Sequence, residues 1–283
     1  MRRYLFTLCL SVFVTIGVSA QVDRLETYQA NFSSANLQTK LEILRAADGE
    51  DATEFGPLYG QALSFVVSNA EEMYTEPLLR QIALKAVNRI YAGMYRPAVN
   101  DLWRLFRLYE ETTARIQMLT VIGDLAGENQ QVIDYLSEWV ATQNNLTQAG
   151  SRVDLQVLTE AVKALGTLGS PVAFDPIVNV ILIQYPDYVT TVARESLSKI
   201  EGDPLELAGE LIRGKDITDK RVAFEFFMRS DYLPEDQKPT LARVTLADVL
   251  SIRSRDTLEQ EEARLIRFGA ANVLRSASYS DAT

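Results

Sequence analysis

From about Ala35 onward, apolar residues return at every third or fourth position, and the strict alternation of a half-buried strand is nearly absent. Ile82, Ala83, Ala86, Val87 and Ile90 form one such stripe, and Ala161, Val162, Leu165 and Leu168 another. A chain patterned this way folds as helices. Because each helix has one oily face, the helices must pack in layers to hide it.

The punctuation falls at regular intervals. Ser170 with Pro171, and Asp203 with Pro204 and then Glu206, place an N-cap before a proline at the first helical position. Asp51 with Glu54, and Asp256 with Glu259, read as further capping boxes. Gly93, Gly127, Gly169 and Gly202 each follow a periodic segment, where a left-handed residue closes a helix.

The segments before those glycines align. A small or flexible residue is followed by two aliphatic ones in Ala83, Val87, Ile90; Met118, Ile122, Leu125; Ala161, Leu165, Leu168; and Ala193, Leu197, Ile200. The successive offsets are 35, 43 and 32 residues, the spacing of helix-pair repeats. Room for a second helix is left at 97–110, 129–143, 171–185 and 204–213. A single pair cannot bury its apolar face, so each must stack on the next.

The strings AVKALGTLGSP at 161–171 and ARESLSKIEGDP at 193–204 resemble the HEAT-repeat consensus. The resemblance implies an all-α, right-handed α-solenoid of six or seven stacked helix pairs, from near Ala35 to near Ser276. Departures exist: 111–127 lacks the turn proline, and beyond Gly214 the regularity fades. Tetratricopeptide repeats, the nearest rival, keep a strict period that these offsets do not. No linker interrupts the array. The polar stretch 142–151 reads as a longer loop between helices, 21–34 as an N-terminal extension and 277–283 as a flexible tail.

The first twenty residues read as an address. Arg2 and Arg3 precede an uncharged, largely apolar run at 4–18, shorter than the roughly 20 residues of a membrane-spanning helix, and Val18, Ser19 and Ala20 offer a cleavage site before Gln21. Leu8 before Cys9 is not the small residue of a lipoprotein signal. The expectation is a periplasmic or secreted protein, touching a membrane only if the signal stays as an anchor.

Removing those twenty residues leaves 263 of the 283, with no cysteine or histidine. Thiolate nucleophiles, imidazole bases, disulfides and Cys/His zinc sites are therefore beyond the remaining chain, and no cofactor is implied. It holds 26 basic and 38 acidic side chains, a balance of −12 that disfavours nucleic acid.

Candidate sites follow from what is left. Adjacent acids Glu71 and Glu72, Glu110 and Glu111, and Glu261 and Glu262 point about 100° apart on a helix and do not face each other. Asp48, Glu50, Asp51 and Glu54 gather at 47–55, without the spacing of a calcium loop. Between Leu78 and Leu108, six basic residues meet one acid, Asp101, whereas from Asp124 to Asp187 eight acids meet two bases. The candidate binding set is Arg80, Arg89, Arg104 and Arg107 with Trp103 and Trp139, the two tryptophans lying 36 residues apart on successive second helices. The plainer alternatives are charged faces neutralising acidic neighbours and indoles packed in the core. Tyr74, Tyr95, Tyr185, Tyr188 and Tyr232 fall at helix ends, where they offer a rim for a sugar or peptide. Asn31 and Asn145 head glycosylation acceptor patterns.

A non-catalytic, exported scaffold that binds a protein partner is the expectation. The alternative is a carboxylate-dependent enzyme or binder acting on cell-wall or other glycans, which requires two inward-facing acids, one with a raised pKa. A third reading, anionic-ligand binding by the 78–108 segment, is opposed by the acidity of the whole chain.

Overall fold

A computed structural model describes residues 24–280, and the signal-peptide reading lies outside them. Among the described residues every regular element is helical, an all-α arrangement. No described helix is long and apolar enough to cross a membrane. Two compact units divide the chain, one through Val132 and one from Ile133.

The first unit contains α1 (24–34), α2 (Leu37–Ala46), α3 (Gly56–Ser68), α4 (Pro77–Ala92), α5 (Val99–Leu108) and α6 (Thr112–Leu125). Here α4 packs on both α2 and α6, α3 packs on α5, and the pairs α3 with α4 and α5 with α6 join the two rows. Thus α3 and α5 pack on the next helix, and α2, α3 and α4 on the next but one. The segment expected as an extension, 21–34, is helical from residue 24, and Phe32 on it is buried beside Phe65.

Helix α7 (Gln130–Gln148) begins at the division. It is followed by α8 (Leu155–Leu168), α9 (Phe174–Leu182), α10 (Asp187–Leu197), α11 (Pro204–Gly214), α12 (Ile217–Arg229), α13 (Lys238–Ser251) and α14 (Thr257–Ser280). In the second unit α8 packs on α10, α9 on α10, α11 on α13, and both α12 and α13 on α14. One contact reaches further, from α9 to α12. Helices therefore continue past Gly214, where the repeat pattern is no longer readable.

The aligned triplets supply the core. Ala83, Val87, Ile90, Met118, Ile122, Leu125, Ala161, Leu165 and Ala193 are fully buried. Each branched aliphatic among them contributes about 1.5–3 kcal/mol relative to its exposed state. Polar bonds also cross between helices: the Tyr91 hydroxyl donates to Asp124 at 2.9 Å, 33 residues on, and Lys215 Nζ donates to Asn179 Oδ1 at 2.8 Å, 36 residues back. The Glu201 N–H donates to the Gly169 carbonyl at 2.7 Å, joining two helix ends across the 32-residue offset.

Local signals explain most ends. Asp203 accepts from the N–H groups of Leu205 and Glu206, and Asp256 from those of Leu258 and Glu259, as capping requires. Gly169 closes α8 at φ +69°. Gly93 departs from its expected role, for its φ is −90° and the left-handed residue is Met94 at +50°. What Gly93 supplies is room, since a Cβ there would lie 2.1 Å from the Ala52 carbonyl oxygen. The loop expected at 142–151 is helical to Gln148, because Asn144 is buried and donates to the Pro176 carbonyl at 2.9 Å. A polar side chain is needed at that point inside a packed interface.

Candidate functional site

The basic segment of the first unit is largely spent on the protein itself. Lys85 and Arg89 both face Asp48, and Arg89 also donates to the Glu50 carbonyl at 2.7 Å with its guanidinium over the Tyr59 ring. Arg80 donates to the Met73 carbonyl at 3.2 Å, and Arg104 bonds Asp101 on its own helix at 3.3 Å. Arg107 is exposed. Arg80 and Arg89 are nine positions apart on α4, which at about 3.6 residues per turn sets them on opposite sides. The six-residue binding surface is therefore not assembled within this unit. Trp103 is 5% exposed and stacks on Phe106, so it belongs to the core, and Trp139 is half-buried on α7 in the other unit.

The acidic cluster at 47–55 is engaged as well. Glu50 pairs with Arg24, and Asp51 accepts from the N–H groups of Glu54 and Thr53, bonds that hold its carboxyl below the usual range. No group of three or more acids placed to hold a metal occurs among the described residues. Glu111 caps α6 through the N–H groups of Thr113 and Ala114, and Glu262 pairs with Arg221. Glu261, beside Glu262 in sequence, bonds Arg264 instead.

The second unit holds the better site, a groove of about 850 Å³ between the end of α9, α10 and α12. Ile181, Leu182, Leu197, Val222 and Phe226 give it an apolar lining, and Arg194, Glu225, Arg229 and Asp231 ring it with both signs of charge. Its far end is the turn after α12, where Tyr232 packs on Phe174 with ring centres 5.5 Å apart and on Phe227 at 6.0 Å. Burial, with the negative charge of Asp203 behind it, pushes the Tyr232 phenol up to about 12, so the hydroxyl is a donor at neutral pH. The adjoining Ser230 hydroxyl is buried without a partner among the described residues.

Part of the charged rim of the groove is paired within α12. Glu225 is held between Arg221 at 2.8 Å and Arg229 at 3.7 Å, so its carboxylate is tied into ion pairs on its own helix. Burying a large side chain on the apolar lining while polar groups fix its orientation is the general design of a small binding cleft.

Of the groove residues, only Tyr232 stands out in the sequence reading. Phe226 carries a usable signal: it lies well off the buried stripe of α12, formed by Lys220, Ala223, Phe224 and Phe227, so it is an aromatic without a core position. Tyr74 and Tyr188 are exposed, Tyr185 is buried with its hydroxyl on Thr147 Oγ1 at 2.7 Å, and Tyr95 lies flat on Gly56 and Gly60.

No family model matches this chain, and no curated protein matches it. Among solved structures, a chain from "Computational Design of Self-Assembling Cyclic Protein Homooligomers" is similar over 97% of this chain and 99% of that one, at 12% identity and a TM-score of 0.19. At that score the likeness carries no argument.

Proposed function

We propose that the chain is an exported, non-catalytic binding protein, each unit a run of HEAT-like stacked helix pairs of the right-handed α-solenoid kind, and that the groove between α9, α10 and α12 takes a segment of a partner protein. The observation that carries this reading is the groove itself, an apolar lining rimmed by charges of both signs, with two hydroxyls at one end. A side chain of the partner would enter over Phe226 while the rim fixes its direction. Support for the repeat architecture comes from cross-helix bonds at steps of 33 and 36 residues, which tie α4 to α6 and α9 to the end of α11.

The test is a photo-reactive phenylalanine analogue placed at Ser198 or at Phe226, with Glu42 on α2 as the control position. A discrete adduct from both groove positions, absent from the control and suppressed by Arg194→Glu, is the expected result. Equal labelling at all three positions contradicts the reading, as does turnover of a glycan by the purified protein. Export is tested separately by N-terminal sequencing of the mature protein, expected to begin at Gln21.

A further inference from the structure

The groove between α9, α10 and α12 does not end at Val222. A second cavity of about 350 Å³ shares Leu182 and Val222 with it and continues to Asn179, Thr147 and Asp219. Asp219, Val222, Phe226 and Arg229 are spaced by three and four residues, so they line one side of α12 along this trough. At about 1.5 Å of rise per residue, the trough is roughly 15 Å long between Asp219 and Arg229. An extended chain covers that length with about five residues.

Some of the charge along the trough is already engaged, since Glu225 is tied to Arg221 and Arg229. Three groups are not. Arg194 on the α10 side, Asp219 at one end and Asp231 at the other are exposed, and none has a hydrogen bond or ion pair through its side chain among the described residues. Arg194 is therefore the lining cation left to receive a carboxylate. The two aspartates repel a run of acids and favour a base near each end. A lone acid beside a large apolar side chain is what complements Arg194 together with Phe226.

We infer, on the binding role proposed for the groove, that the partner segment is extended and about five residues long, with one acidic residue beside a large apolar one and basic residues at its ends. The apolar side chain lies over Phe226 within the lining of Ile181, Leu197 and Val222. The acid meets Arg194, whose planar guanidinium takes both carboxylate oxygens at once. Burial on the apolar lining supplies the attraction. The exposed charges choose the sequence and its direction more than they add strength, because surface ion pairs are weak and screened by salt.

Short random peptides displayed on phage and selected on the whole purified protein read this preference without a known partner. The wild type is expected to enrich peptides in which one acid neighbours a Phe, Leu or Met, with Lys or Arg to either side. Synthetic copies of those peptides should bind Phe226→Asp at least tenfold more weakly, with an unchanged circular dichroism spectrum showing that the fold survives. Arg194→Glu is expected to weaken them about fivefold and to regain the loss when their acid is changed to lysine. Peptides that need Phe226 but bind equally well with either charge opposite Arg194 overturn this inference and leave the groove's binding role standing. Peptides that bind Phe226→Asp as well as the wild type overturn both. Enrichment of acidic runs or of apolar residues at helical spacing, or selection of no common sequence, also overturns the segment inferred here.

Discussion

The two units obey one packing habit and use their polar groups differently. In the first, Lys85 and Arg89 reach back to Asp48, Arg24 reaches Glu50 and Tyr59 lies under Arg89, so charge and ring are consumed in fastening successive helices. The second also fastens its helices, through Lys215, Lys220 and Arg221, but it leaves a groove with an apolar lining and a buried hydroxyl without a partner among the described residues. A surface whose charges are already paired has little left to offer a ligand. Function is therefore to be sought where helix packing leaves groups unspent.

The largest expected effect lies in the tightly closed unit. Gly93→Ala drives a methyl to 2.1 Å from the Ala52 carbonyl oxygen, and the required backbone shift is expected to cost about 3–4 kcal/mol, read as a lower urea midpoint at unchanged slope. Gly150→Ala in the second unit meets nothing within 4 Å and pays only for its φ of +80°, about 1 kcal/mol. If the two substitutions cost the same, the contrast in closeness is wrong.

Next comes the polar fastening of the second unit. Asp248→Ala strands Lys220, whose side chain is 5% exposed, and is expected to cost about 2–3 kcal/mol by the same urea titration. Tyr185→Phe removes the 2.7 Å bond to Thr147 and is expected to cost about 1 kcal/mol.

A smaller effect is expected from pH. The folded Tyr232 phenol lies above its unfolded value of 10.0, so the stability it lends is fully present below pH 10 and lost as pH rises toward about 12. The melting temperature should fall across that window, and fall less in Tyr232→Phe. Smallest of all, Arg194→Glu on the exposed rim should alter stability by no more than about 0.5 kcal/mol while removing the groove cross-link. A large loss of stability instead would make Arg194 a structural residue.

Much of the helical framework is legible because its causes are local. Asp203 and Asp256 cap the helices that follow them, and the triplets before the glycines fill the core, since periodicity and capping act within a few residues. What escaped depends on partners distant in sequence. Nothing near Gly93 says that Ala52 will lie against it, and nothing near Asn144 announces the Pro176 carbonyl that keeps α7 helical through a polar stretch. The groove escaped for the same reason: Arg194 and Phe226 meet only once α10 and α12 are placed. Sequence alone allows Trp103 as anchor or as core, and its place beside Phe106 puts it in the core.

Native-state hydrogen exchange in rising urea tests the neighbour-to-neighbour packing on which the rest depends. Amides within each unit should lose protection in contiguous helix-pair blocks at different urea concentrations, because each block is held by the next one along. A single transition that exposes all the helices between 24 and 280 together would contradict that packing.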